Sequence, residues 1–205
     1  VREENLAKFK ESLDIVMNLN NWHAFINLFA AAGYLSDKLV SSTNAVVYSY
    51  ILYLIGKYDF NVSSVDLQKI ISKWIFMSTI TGFYTTSPET EAEKQFADLR
   101  EIHTADEFVA YLDGVISNKF TDDYFEYSLP AELNSSSANS PAWYGYIAAI
   151  NVLGTPLLFS TTPQVQCFLP GASGSKNAIG KHHIYPKNYL TKIGYENDRD
   201  RNQIA

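Results

Sequence analysis

The sequence predicts a mainly α-helical, multi-helix body over residues 1–160, followed by a small irregular module over 161–205. Three observations carry that expectation. Apolar residues in the first part recur at spacings of three and four, the period of a helix with one buried face. Helix-capping residues stand ahead of most of these stretches. From Ser160 onward, turn-forming residues crowd together and the helical period is lost.

The elements follow in order. Leu6, Phe9, Leu13, Val16 and Met17 place one apolar face on a helix over 1–19. Trp22, Phe25, Ile26 and Phe29 repeat the pattern to about Ala32, with Gly33 as a C-terminal stop. Thr43-Asn44 can cap a strongly apolar helix to about Tyr58. Ser63-Ser64 opens the next, with Leu67, Ile70, Ile71, Trp74, Ile75 and Ser78 on one side. Ser87-Pro88-Glu89 has a hydroxyl cap, proline at the first helical position and acids near the positive end of the helix dipole. Thr104-Ala105-Asp106-Glu107 has capping-box form and starts a helix to about Val115. After the polar linker Asn134 to Asn139, Ser140-Pro141 begins a seventh helix. Trp22, Trp74 and Trp143 sit at helical spacing among apolar neighbours and are expected in the core.

Beyond Ser160, Thr161-Thr162-Pro163, Pro170-Gly171 and Gly174 signal turns, with short strands expected at Val165 to Leu169 and Ile179 to Tyr185. Pro186 ends the second strand. Lys187 to Lys192 reads as a helical turn closed by Gly194.

Composition narrows the classes. With 46% hydrophobic and 14% aromatic residues in 205, the chain can bury a sizeable core and is not a disordered segment. The single cysteine, Cys167, excludes an internal disulfide framework, fits a reducing cytosol, and is expected to be inert. The apolar stretch Ala45 to Ile55 is shorter than the roughly 20 residues a membrane span needs, and Gly154 and Pro156 break the stretch from Tyr144 to Phe159. No membrane partner and a cytoplasmic location are expected. The net charge of −6 argues against a general nucleic-acid coat. From Lys176 onward, however, six Lys/Arg face three acids, so the terminal segment is basic on an acidic body.

That basic segment contains His182-His183, two of the four histidines of the chain. A neutral imidazole, with an unperturbed pKa of about 6.5, can take a proton from water near neutrality. A second histidine, with oxygen ligands from Asn or Asp, can hold one divalent ion and leave positions open for water and phosphate. Neighbouring residues on a flat strand point to opposite faces. The doublet therefore serves one site if the backbone bends, or if metal and water lie on different sides. His23 and His103 are single, in helical contexts, and are expected to be structural or exposed. Glu89, Glu91, Glu93 and Asp98 read as a solvated helix face.

The run His182-His183-Ile184-Tyr185-Pro186-Lys187, then Tyr189-Leu190 and Arg201-Asn202-Gln203-Ile204-Ala205, resembles the His-Asn-His (HNH, ββα-metal) nuclease module of GmrSD-type modification-dependent restriction endonucleases. The helical body is similar to the region preceding that motif in the family, through Lys73-Trp74, Tyr84 to Pro88, and Thr121-Asp122-Asp123-Tyr124-Phe125. The resemblance is close over the last 30 residues and loose over most of the rest. It implies a bacterial or archaeal defence protein that cuts DNA, modified DNA included, with Mg²⁺ or Mn²⁺. It implies His183 as general base, His182 as metal ligand and Asn202 as a residue orienting the base or the site. Lys181, Lys187, Lys192, Arg199 and Arg201 are expected to contact phosphates, which position DNA without reading it. The family's module continues with a further strand and helix, and a nucleotide-triphosphate-binding domain precedes the body. The HNH-like module over 161–205 is therefore expected to be incomplete, and this stretch is expected to cut DNA poorly by itself. The alternative is a non-catalytic helical scaffold that binds DNA or a partner subunit and retains a degenerate site.

Overall fold

Helix α4, Ser64–Ile80, is apolar around most of its circumference, and the other helices of the body are arranged to cover it. In this computed structural model, which describes residues 2–134, 139–156, 161 and 185–201, the elements in chain order are α1 (Arg2–Met17), α2 (Leu19–Ala31), α3 (Thr43–Tyr58), α4, α5 (Pro88–Leu99), α6 (Ala105–Lys119), α7 (Leu129–Leu133), α8 (Pro141–Leu153), α9 (Lys187–Lys192) and α10 (Asp198–Arg201). A short 3₁₀ turn, Asp37–Leu39, lies between α2 and α3, and a π-type turn, Tyr124–Ser128, leads into α7. No strand is formed among the described residues, and no helix there is long and apolar enough to cross a membrane. The mainly helical body expected from the periodicity is therefore present. The two expected strands lie outside the described residues, apart from Tyr185.

Capping chemistry sets most helix starts. Asn18, Ser63 and Ser140 each accept a backbone N–H of the following turn, as an N-cap does. Helix α3 is capped by Ser42 rather than by the expected Thr43-Asn44; the Ser42 hydroxyl accepts from the Ala45 N–H. Thr104 and Glu107 form the expected capping box. Helix α6 runs to Lys119, one turn beyond the expected end, because Ile116 continues its buried stripe after Phe108 and Leu112. Ser87 accepts no side-chain bond, but its carbonyl receives the Glu91 N–H and Pro88 starts the helix.

Packing centres on α4. Ile71, Trp74, Ile75 and Met77 are fully buried, and the helix packs against α2, α3, α6 and α8. Trp22 stacks on Tyr50 with ring centroids 3.8 Å apart, and Phe25 meets Phe29 edge to face. Trp143 is half-buried and stacks on Tyr146. Of the three tryptophans, only Trp74 is completely enclosed.

Helix α1 departs from the expected pattern. Its apolar stripe of Leu6, Phe9, Leu13, Val16 and Met17 is exposed, because α1 packs on α2 through its C-terminal end only. There the Asn21 amide donates to the Ile15 carbonyl, and both the Trp22 indole and the Tyr50 hydroxyl donate to the Val16 carbonyl. These bonds satisfy carbonyls that the end of a helix leaves without partners. A regular apolar period fixed the helix, but not what covers it.

Helix α8 reaches the core by a close backbone approach. Gly33, at φ +88°, ends α2, and a Cβ on it would lie 2.1 Å from the Ala148 carbonyl oxygen. Asn151 of α8 donates to the Gly33 carbonyl at 2.9 Å. Gly33→Ala should therefore lower the urea-unfolding free energy by about 2–4 kcal/mol, through overlap and a left-handed backbone. Gly114→Ala, exposed within α6 with nothing near its Cβ, should raise it by about 0.5–1 kcal/mol. Glu107 accepts the His103 and Thr104 N–H groups, which hold its carboxyl below the usual glutamate range. Its contribution should be complete above the ordinary glutamate pKa and fade as pH falls through the lowered folded value. An NMR titration of the Glu107 carboxyl should show the depressed midpoint, and Thr104→Ala should move it back up.

Candidate functional site

The segment 185–201 is built around two short helices and a glycine turn. Pro186, with φ −57° and ψ 136°, stands at the N-cap of α9 and its carbonyl accepts the Tyr189 and Leu190 N–H groups. Gly194, at φ +102°, turns the chain after Ile193, and the Tyr195 N–H returns to the Leu190 carbonyl. The expected helical turn from Lys187 to Lys192, closed by Gly194, is thus present. Asn197 starts α10: its side chain accepts the Arg199 N–H and its carbonyl the Arg201 N–H.

Arg201 joins the two helices. Its guanidinium donates to the Thr191 hydroxyl at 2.7 Å and pairs with Asp198. Arg199 reaches the body, donating to the Asn134 carbonyl at the end of α7. Lys187 and Lys192 are exposed and form no ion pair among the described residues. Of the four described cations expected to meet phosphate, two are fully available, one is tied to the body and one is used within the segment. His182, His183, Asn202 and Lys181 lie outside the described residues, as does Cys167. Among the described residues, no group of three or more His, Cys, Asp or Glu could hold a metal ion. His23 and His103 are exposed, as expected of isolated histidines.

The body contains a polar cleft that sequence reasoning did not foresee. Two cavities of about 440 and 500 Å³ adjoin through shared walls of Phe83, Glu91 and Lys119. Glu91 had been expected on a solvated face. It is half-buried and lines both cavities, and Asp98 accepts the Tyr111 hydroxyl at 3.0 Å. The Lys119 ammonium sits 5.1 Å from the centroid of the Phe83 ring. Burial, reinforced by the Glu132 charge, pushes the Tyr124 phenol up to about 12, and burial also raises the Glu132 carboxyl. Gln95 accepts the Tyr84 hydroxyl at 2.8 Å inside the α5 face made by Ala92 and Leu99. One signal was available in the sequence: Gln95 lies three residues after Ala92 and four before Leu99, a polar residue on an apolar stripe. The cleft's groups carry both signs of charge, which suits a neutral or zwitterionic polar guest better than a phosphate chain.

Of the stretches that carry the family resemblance, Trp74 and Tyr84 are core residues, and Thr86 and Ser87 line the first cavity. No protein-family model, curated protein or solved structure matches this chain.

Arg201→Ala should uncouple α10 from α9, raising amide hydrogen exchange over 187–201 while the thermal midpoint of the body stays within error of the native protein.

Proposed function

We propose that this chain is the nuclease-bearing region of a metal-dependent DNA endonuclease. The observation that carries the reading is the His182-His183-Ile184-x-Pro186 run with Asn202 following, set in the basic terminal segment. In this reading His183 accepts a proton from water, and the water attacks the phosphorus of a DNA phosphodiester. His182, with oxygen ligands, would hold Mg²⁺ or Mn²⁺, and the ion when bound would supply charge stabilisation for the phosphate and the departing 3′ oxygen. Asn202 orients the base or the site.

Several features of the described segment support this. Helix α9 begins directly after Pro186, so the chain turns where the motif needs the histidine-bearing stretch to end. Exposed Lys187 and Lys192 stand at the two ends of α9 and form no ion pair among the described residues, which leaves them free for phosphates. The exposed carboxylates of Glu196 and Asp200 precede Asn202 and are hard oxygen donors, the kind Mg²⁺ and Mn²⁺ prefer, whereas Asp198 is engaged by Arg201. The finer parts of the proposal are a role in restriction or phage defence, modified DNA as target, a nucleotide-triphosphate-binding domain as partner and a cytoplasmic location. These rest on the resemblance.

One observation favours the second reading, a non-catalytic helical scaffold for DNA or a partner subunit. It is the exposed apolar stripe of α1, the sort of surface that protein partners cover. Metal binding separates the two. With Mg²⁺ or Mn²⁺, the full-length protein should nick plasmid DNA, and His183→Ala should abolish nicking while retaining Mn²⁺ binding. His182→Ala should lose Mn²⁺ binding by calorimetry. A His183→Ala variant that nicks at the native rate would reject the assignment, and indifference of the wild type to Mn²⁺ would favour the scaffold.

A further inference from the structure

Three elements meet at the wall that the two cavities of the body share: the turn after α4 brings Phe83, α5 brings Glu91 and the end of α6 brings Lys119. The Phe83 ring is fixed edge to face against Trp74 and Tyr84, with centroids 5.6 and 4.9 Å away. The Lys119 ammonium lies over that ring, so an aromatic face positions it, and no carboxylate among the described residues pairs with it. Glu91 is half-buried and likewise forms no ion pair there. A carboxylate and an ammonium thus stand in one wall without meeting each other. Asp98, the other carboxylate of the second cavity, is engaged: it accepts the Tyr111 hydroxyl at 3.0 Å. Burial first, then the Asp98 bond and charge and the Glu91 charge, hold the Tyr111 phenol above its ordinary value, so it stays a donor. Each cavity also has one buried polar atom in its lining residues that finds no partner among the described residues. In the second it is the Gln95 amide nitrogen; Gln95 is 4% exposed, and its oxygen accepts from Tyr84, which lines neither cavity. In the first it is the Tyr124 hydroxyl. Such groups are rare in folded proteins, and adjoining walls that hold two of them are suited to a polar guest.

We infer that this cleft binds a free α-amino acid, or a small zwitterion of the same charge arrangement, with its ammonium on Glu91 and its carboxylate on Lys119. The charges select the class. A guest with one ammonium and one carboxylate completes both open groups at once, whereas a lone anion or cation satisfies one and is repelled by the other. In the second cavity two carboxylates, Glu91 and Asp98, face two ammoniums, Lys94 and Lys119, so neither sign prevails. Size agrees as well: cavities of about 440 and 500 Å³ fall within the roughly 300–1,000 Å³ of small-molecule sites. Thr86, Ser87 and Asn118 add polar side chains to the walls, which favours a guest whose own side chain is small and polar. The inference goes beyond the nuclease reading and does not depend on it, since every residue it uses belongs to the helical body.

Amide NMR titration of the full chain, without DNA or metal, tests the site with the common free L-amino acids as probes, one at a time. At least one should give saturable shifts at millimolar concentration, centred on cleft amides such as those of Phe83, Glu91 and Gly114. For that amino acid, the amine lacking the carboxylate and the acid lacking the ammonium should each bind about ten- to hundredfold more weakly. Glu91→Gln should weaken the zwitterion by a similar factor without weakening the acid that lacks the ammonium. Lys119→Met should weaken the zwitterion without weakening the amine that lacks the carboxylate, and Lys119→Arg should retain binding. Circular dichroism confirms that each variant is folded. No saturable shift from any probe, shifts centred outside the cleft, equal affinity for the singly charged analogues, or native affinity in both Glu91→Gln and Lys119→Met overturns the inference. Plasmid nicking reports on His182 and His183 and is read independently of this titration.

Discussion

The structure depends on the burial of one helix. Helix α4 presents Leu67, Ile70, Ile71, Trp74, Ile75 and Met77 around its axis, and such a helix is stable in water only when other elements enclose it. Helices α2, α3, α6 and α8 supply the enclosure. Each brings its own aromatic or aliphatic stripe, and the largest side chains interleave: Phe25 from α2, Phe108 and Leu112 from α6, and Leu52 from α3 are all essentially inaccessible. The turn after α4 then folds Tyr84 back beneath the same layer, where Gln95 receives its hydroxyl.

Closure from the far end of the chain is a matter of backbone proximity. Helix α8 approaches the end of α2 closely enough that only a glycine at position 33 leaves room for the Ala148 carbonyl, and Asn151 adds a buried hydrogen bond to Gly33 across 118 residues of sequence. That contact brings the chain back over the core before it leaves α8 at Gly154, which adopts the left-handed conformation of a helix stop. On the opposite side, the Asn21 side chain collects the Lys57 ammonium and the Tyr58 hydroxyl, so α2 and α3 are pinned by polar bonds as well as by rings. Buried Asn21 is tolerated there because both its amide nitrogen and its amide oxygen have partners.

The segment after the histidine pair is organised differently. It is held by local turns and two arginines, Arg201 within it and Arg199 to the Asn134 carbonyl, rather than by a core, and nearly all its side chains face water. A surface of that kind does not stabilise the fold appreciably. Its exposed lysines and tyrosines are solvated rather than packed, in contrast to the interleaved rings of the body.

Local chemistry was legible in the residues themselves. The helices of the body, the capping box at Thr104 and Glu107, the burial of Trp74, and the turn from Pro186 to Gly194 follow from spacing, caps and breakers, whose energies are set within a few residues. The shift of the α3 cap to Ser42 is a one-residue matter of which hydroxyl reaches the Ala45 N–H. The histidine pair was legible as chemistry, since imidazole beside imidazole in a basic run is informative without coordinates. What α1 packs against was not legible, because a stripe of Leu6, Phe9 and Leu13 states that a face is apolar and not whether a neighbour exists to cover it. The cleft at Glu91 and Lys119 was likewise set only in three dimensions. Such an arrangement depends on how separate turns and helices are carried past one another, and no local preference of the chain encodes it.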